Sequence, residues 1–311
     1  MVIVAVDVMD IKGGIDMFSF KNSCDGYYRS MDIRVTKKCD NNCSFCIEKN
    51  GECSLGETND KKIIESINSV DVDDILLLGG EPLLELKKVI NIVENVNPNK
   101  KVYLTTSLPN TIIDEDDISI DMMYLMDMID GLNISFHGGN DEENINTLQA
   151  SSKHSRLKLI NRLANLYPDK VRVCINLVKG HIDNEYKLLD VIDMLYKNGV
   201  RKIKVNELQH TPELYVSIEK ILNRKWKSPY AHGCQTKAYE GDLEITYKRS
   251  CFIVEPSLNP SIADFIKIII KKLGFVKNNG KFCVCYENGI VSNQWINRVD
   301  KNIKEMKLNG K

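Results

Sequence analysis

The sequence predicts an α/β fold, a partial (β/α)6 TIM-like barrel with an N-terminal extension and a C-terminal α+β tail. Two observations carry this. Short apolar runs of strand length recur along the chain from about residue 30, and each is followed by a longer stretch with apolar residues at helical intervals. Strands that alternate serially with helices give a parallel sheet, and strands covered on both faces read as near-continuous apolar runs.

The runs are MDIRV (31–35), DILLLGG (74–80), KVYLTTS (101–107), GLNISFH (131–137), KVRVCINLV (170–178) and KIKVNEL (202–208). Helices are expected at 59–70, 83–96, 118–129, 155–166, 184–197 and 212–222, flanked by Asn, Asp, Gly or Pro punctuation. Residues 1–29 form the extension, 30–223 the barrel and 224–311 the tail. The tail has strand signals of its own, LEITYKRSCFIVE and KFCVCYENGIVSNQW. In the second, Glu287-Asn288-Gly289 reads as a hairpin turn, since Asn-Gly adopts positive φ readily.

Composition narrows the function class. The 311 residues are 43% hydrophobic and 27% charged, values of an ordinary globular protein. Lys plus Arg (42) balance Asp plus Glu (43), so no charge excess argues for nucleic acid or an anionic membrane. The apolar opening is interrupted by Asp7 and Asp10 and reads as a strand rather than a signal peptide. No window approaches the roughly 20 apolar residues of a membrane span, and a cytoplasmic location is expected. Ten cysteines in such a chain point to metal or redox chemistry rather than to a disulfide framework.

Directly after the first strand comes Cys39-Asp-Asn-Asn-Cys43-Ser-Phe-Cys46. Three thiolates on one short loop can wrap an iron-sulfur cubane and leave one iron without a protein ligand. The alternative is structural zinc, although zinc ribbons usually present paired C-x2-C knuckles and only one half of this loop has that spacing. The C-x3-C-x2-C pattern, with Phe45 before the last cysteine, resembles the signature loop of the radical S-adenosylmethionine (SAM) superfamily. The resemblance implies a 4Fe-4S cluster on Cys39, Cys43 and Cys46. It also implies reductive cleavage of SAM to a 5'-deoxyadenosyl radical, and a reduced flavodoxin or ferredoxin as electron donor.

The second strand ends in Gly79-Gly80-Glu81-Pro82, where sites of barrel enzymes collect. Glycines allow close backbone approach, and a carboxylate can pair with an ammonium group. Taken alone, GGEP also suits a plain strand-to-helix turn, with Glu81 and Pro82 in the first turn. The family resemblance assigns the segment to the SAM amino group.

Thr105, Thr106 and Ser107 close the third strand, and Ser135 and His137 the fourth. Each suits a strand-end cap, or, by the resemblance, a contact to the SAM carboxylate or ribose. The stretch RVCINLVKGHIDNEY with VNEL is similar to the molybdenum-cofactor cyclase branch of the superfamily, which implies ribose contacts for Asn176 and adenine contacts near Leu208. No side chain is nominated for catalysis proper.

Cys234, Cys251, Cys283 and Cys285 lie in the tail, with His232 in reserve. A second iron-sulfur cluster or zinc there is one reading, and small buried hydrophobes are the other. Lys248 and Arg249 suit phosphate or carboxylate, or a charge pair on a solvated strand. The function expected is hydrogen abstraction from a small-molecule or peptide substrate. RNA modification and a zinc-stabilised, non-catalytic binding module are the competing readings.

Overall fold

The computed structural model describes residues 29–50, 57–209, 211–223, 235–250 and 281–292. The expected strand at the start of the chain lies outside them.

In chain order the described elements begin with β1 (Arg29–Thr36), α1 (Ile47–Asn50), α2 (Asp60–Ser69), β2 (Asp74–Gly79) and α3 (Leu86–Glu94), the last entered through a 3-10 turn at Pro82–Glu85. There follow β3 (Lys101–Thr106), the small hairpin β4 (Ile113–Asp114) and β5 (Asp117–Ile118), α4 (Ile120–Met128), β6 (Gly131–Ser135), α5 (Asp141–Leu148) and α6 (Arg156–Leu166). Then come β7 (Val171–Asn176), α7 (Glu185–Lys197), β8 (Lys202–Asn206), α8 (Ile218–Ile221), β9 (Gln235–Glu240), β10 (Leu243–Lys248), β11 (Lys281–Cys285) and β12 (Val291–Ser292).

The chain divides into two compact units. One, the cysteine-loop unit, comprises Arg29–Ile134, Leu148–Leu159 and the described residues from Phe282 onward. The other, the His137 unit, comprises Ser135–Thr147 and the described part of Ile160–Lys281.

In the cysteine-loop unit the strands run in the order β12-β11-β1-β2-β3-β6. The pairs β1–β2, β2–β3 and β3–β6 are parallel, and β11–β12 is the antiparallel hairpin expected around Asn288-Gly289, with Gly289 at φ 81°. Alternate residues of β1 and β2 (Met31, Ile33, Val35, Ile75, Leu77) are fully buried, which is what apolar runs do when helices cover the sheet. α3 turns Leu86, Val89, Ile92 and Val93 inward at helical spacing. Asn59 caps α2, accepting the Lys62 N–H at 3.0 Å, and so satisfies one of the donors a helix start leaves open.

In the His137 unit the order is β7-β8-β10-β9. Strands β7, β8 and β10 are parallel and β9 is antiparallel to β10. α7 covers it with Leu188, Val191, Ile192 and Leu195, and Asn184 caps its start.

All six expected strands are present. The helices differ in two places. Residues 212–222 form a 3-10 turn at Pro212–Leu214 and the short α8 rather than one helix, with Thr211 in the left-handed region at φ 69°. Between β6 and β7 stand two helices. α5 escapes apolar periodicity because two of its buried positions are polar, Asn144 (0% exposed) and Thr147 (3%).

Candidate active site

The cysteine loop leaves β1 through Thr36, Lys37 and Lys38. It is held from two sides. The segment 148–151 grips its backbone: Asn42 N–H donates to the carbonyls of Leu148 (3.0 Å) and Gln149 (3.2 Å), and Ser151 N–H donates to that of Asp40 (2.9 Å). Lys49, from α1, folds back to the Asn41 carbonyl (2.6 Å) and Asn42 Oδ1 (2.8 Å). The Cys43 thiol faces the Leu148 carbonyl at 3.4 Å. Phe45 and Cys46 are half-buried, and Cys39 is exposed.

The thiols feel one another. Burial pushes the Cys43 thiol up to about 12, and the charges of Cys46 and Cys39 add to it. Although the residue as a whole is open to solvent, the inner side of the Cys39 thiol is desolvated, which raises it; a hydrogen bond from the Asn41 backbone opposes this, and Glu81, Asp40 and Cys46 add to it. Among the described residues no three His, Cys, Asp or Glu side chains form a closed metal-holding group.

Behind the loop stands Gly79-Gly80-Glu81-Pro82. Gly80 N–H donates to the Thr36 carbonyl (2.8 Å) and Glu81 N–H to the Lys38 carbonyl (2.7 Å), so this turn and the entry to the cysteine loop are bonded backbone to backbone. That closeness is why both residues are glycine. Gly79 sits at φ 135°, and a Cβ there would strike the Thr36 carbonyl; one on Gly80 would strike those of Lys37 and Lys38.

The Glu81 carboxylate is buried (2% exposed) and already engaged. Oε1 accepts from Leu83 N–H (3.1 Å) and Thr106 Oγ1 (2.7 Å), while Oε2 accepts from Ser107 N–H (2.6 Å) and Ser107 Oγ (2.7 Å). Burial raises its pKa against these opposing bonds. Ser107 Oγ in turn accepts from Asn41 Nδ2 at 2.6 Å, which carries the network into the cysteine loop. Arg156, fully buried, donates from Nε to the Ser107 carbonyl (2.8 Å). Thr105 lies one position outside this network, its Oγ1 3.4 Å from Asn133 Nδ2. Pro82 is buried at the start of the 3-10 turn.

The remaining sequence candidates belong to the His137 unit. His137 Nδ1 accepts the Asn176 N–H at 3.1 Å, which places the proton of the neutral ring on Nε2, and Asn144 Oδ1 accepts the His137 N–H at 2.7 Å. Burial holds the His137 imidazole down to about 4. His137 and Asn176 are therefore brought together. Ser135 ends β6 half-buried, and Leu208 is buried just beyond β8. Beside Leu208, the buried Glu207 accepts from Ile218 N–H (2.8 Å) and Ser250 N–H (2.7 Å). Lys248 closes β10, and just beyond it Arg249 Nη1 pairs with Glu219 at 2.5 Å.

Of the tail cysteines, Cys234 and Cys251, with His232, lie outside the described residues. Cys283 and Cys285 are buried in β11, their thiols near the carbonyls of Ser30 (3.9 Å) and Tyr286 (3.7 Å). Burial pushes the Cys285 thiol up to about 12.

A family model described as the Radical SAM superfamily matches residues 33–203, more than half of the chain. The chain belongs to the radical SAM superfamily. Among curated proteins it is similar to GTP 3',8-cyclase of Clostridium perfringens strain SM101, 25% identical over 197 residues that span 57% of this chain and 55% of the relative. The protein of the same name from strain 13 is 24% identical over the same shares. The chain thus spans about half the length of the curated relatives it matches. Among solved structures it is similar to Streptococcus suis SuiB bound to S-adenosylmethionine, with TM-score 0.54, 13% identity, and coverage of 91% of this chain and 66% of that one. SuiB bound to its precursor peptide SuiA gives TM-score 0.54 at 14% identity, over 90% and 64%. At such identity these structures show the fold alone, and it is the α/β, partial-barrel class read from the sequence.

Membership in the radical SAM superfamily makes the protein an enzyme of SAM-dependent radical chemistry, with a 4Fe-4S cluster and SAM as cofactors. The residues present fit that cluster in donor chemistry: three thiols on one loop, with its backbone fixed from outside by residues 148–151. Among the described residues no helix is long and apolar enough to cross a membrane.

Sequence reasoning missed Asn41 and Arg156, and passed over the inward role of Thr106. Asn41 carried a signal, lying inside the cysteine motif itself. Arg156 carried none, because its bond to the Ser107 carbonyl, 49 residues away, is set by tertiary packing.

Proposed function

We propose that this chain cleaves SAM reductively at a 4Fe-4S cluster held by Cys39, Cys43 and Cys46, and abstracts hydrogen from a small-molecule or peptide substrate. The observation that carries the reading is the backbone bonding of the GGEP turn to the entry of the cysteine loop through Thr36 and Lys38. It makes the cluster loop and the proposed SAM turn one rigid piece. When bound, the cluster supplies one electron to SAM, and the resulting 5'-deoxyadenosyl radical takes the hydrogen.

The protein's own part is positioning. With its carboxylate engaged by four donors, Glu81 acts as the latch of the turn, and the backbone of Gly79 and Gly80 is left to face the SAM amino group. Thr105 and Ser107, at the end of β3, are proposed for the SAM carboxylate side. Ser135, His137, Asn176 and the backbone at Leu208 are proposed for ribose and adenine. With Nδ1 accepting the Asn176 N–H and Nε2 lying 3.5 Å from Asn176 Nδ2, His137 acts by holding Asn176 in place. Two likenesses support the substrate classes, the GTP 3',8-cyclases for a small molecule and the SuiB complex with SuiA for a peptide. A flavodoxin or ferredoxin is the proposed electron donor, and the tail cysteines are the candidates for a second cluster or zinc.

The test is anaerobic reconstitution of the wild type and the Cys39→Ala/Cys43→Ala/Cys46→Ala variant, counting iron and assaying 5'-deoxyadenosine after addition of SAM and dithionite. Deoxyadenosine from the wild type alone is expected. Iron retained by the variant would reveal the second cluster. Stoichiometric zinc with intact SAM in the wild type would overturn the reading.

A further inference from the structure

Arg34 stands in the middle of β1 with its side chain fully buried, between the core residues Ile33 and Val35. A guanidinium removed from water is costly unless its donors are met by charge. Among the described residues two carboxylates meet it. Nε lies 3.2 Å from Glu48 Oε1 and Nη2 3.1 Å from Glu48 Oε2, a two-point fork, and Nη1 lies 3.4 Å from Glu287 Oε2. The guanidinium carbon lies 4.8 Å from the ring centroid of the buried Tyr286.

The three charges come from distant places in the sequence. Glu48 belongs to α1, two residues past Cys46, and Glu287 to the turn between β11 and β12. That turn is anchored in its own right. The Glu287 carbonyl accepts from Asn59 N–H (2.7 Å), and the Gly289 carbonyl accepts from Ser66 Oγ (2.7 Å). The hairpin thus has a fixed base from which one carboxylate reaches Arg34.

We propose that Glu287 is a positioning residue for the cluster: acting through Arg34, it fixes Glu48 and with it the Cys46 end of the cysteine loop. This rests on the assignment of Cys39, Cys43 and Cys46 as cluster ligands. Groups that orient metal ligands without touching the metal affect how tightly it is held, and fixed charges near a cluster set its potential. The triad carries two negative charges against one positive. Neutralising either carboxylate therefore makes the cluster easier to reduce, as well as loosening its loop.

The experiment uses the full chain, reconstituted anaerobically, as wild type, Glu287→Gln, Glu48→Gln, the double variant, and Ser66→Ala. Ser66→Ala loosens the same hairpin without touching the triad. The readouts are the rate of iron loss to a chelator, the midpoint potential of the cluster, and the thermal midpoint of the iron-free chain. Glu287→Gln and Glu48→Gln are each expected to speed iron loss by roughly tenfold or more and to move the potential upward. The double variant is expected to lose less than the sum of the two, because both act on Arg34. Ser66→Ala is expected to lower the thermal midpoint and to change potential and iron retention far less than Glu287→Gln does, because the Asn59 anchor and the Arg34 contacts remain. The proposal is overturned if Glu287→Gln retains iron and potential as the wild type does, or if Ser66→Ala changes both as much as Glu287→Gln. A wild type that takes up no iron would remove the cluster assignment and this proposal together.

Discussion

Ser107 binds Glu81 twice through one carboxylate oxygen, with its backbone N–H at 2.6 Å and its hydroxyl at 2.7 Å from Oε2. The same hydroxyl accepts from Asn41. The end of β3, the GGEP turn and the cysteine loop meet on this one side chain. Ser107→Ala therefore leaves two buried groups short of a partner and is expected to cost about 1–3 kcal/mol, read by urea denaturation of the iron-free protein. Glu81→Gln is expected to cost more, because its amide sets a donor against donors that now point at oxygen.

Gly80→Ala tests the backbone contact that joins the two loops. The added methyl meets the carbonyls of Lys37 and Lys38, which no side-chain rotation relieves. A loss of about 1–3 kcal/mol is expected from overpacking, together with poorer iron uptake, since the strain falls on the residues that lead into Cys39. A thermal melt and an iron count on the same preparation check both.

His137 makes stability depend on pH with a definite sign. Its folded pKa of about 4 lies below the ordinary 6.5 because burial disfavours the charged ring. Between those values the unfolded chain binds the extra proton, so stability rises with pH. The contribution is complete above about pH 6.5 and is lost as pH falls toward 4. It amounts to about 3 kcal/mol at full extent, from 1.36 kcal/mol per pKa unit. The difference in urea midpoint between wild type and His137→Asn, measured at pH 7 and pH 5, is expected to shrink at the lower pH.

The strands were legible because burial on both faces writes itself as an unbroken apolar run, as in DILLLG of β2. The hairpin at Asn288-Gly289 was legible through turn chemistry. The family was legible because the cysteine loop and GGEP each keep its spacing on one short segment. What stayed hidden was long-range and polar. α5 packs through Asn144 and Thr147 beside the single buried apolar Leu148, so no apolar period marks its inner face. Arg34 is visible as a charge inside an apolar strand, yet its partner Glu287 lies 253 residues away and no local pattern points to it. The close approach of the turn glycines to the carbonyls of Thr36, Lys37 and Lys38 is a tertiary contact with no mark in the local sequence.

Glu207 offers a test in the other unit. Its two oxygens each accept a backbone N–H, from Ile218 and from Ser250, and so fasten α8 and the exit of β10 to the end of β8. Glu207→Gln keeps one acceptor and turns an amide donor against the other N–H. It is expected to cost about 1–3 kcal/mol and to raise hydrogen exchange at Ile218 and Ser250, followed by mass spectrometry.

The grip of residues 148–151 on the cysteine loop also orders events in time. Asn42 and Gln149, whose side chains bond at 3.1 Å, are 107 residues apart. On the ribosome the thiols emerge first, and the backbone that shapes their loop follows only after several more strands and helices have been made. Domains fold from the N-terminal side as synthesis proceeds, so the nascent cysteines spend that interval without their frame. A loop shaped to receive a cluster therefore exists only once residues 148–151 have emerged and packed, and thiols met before that point lack the backbone bonds that fix them.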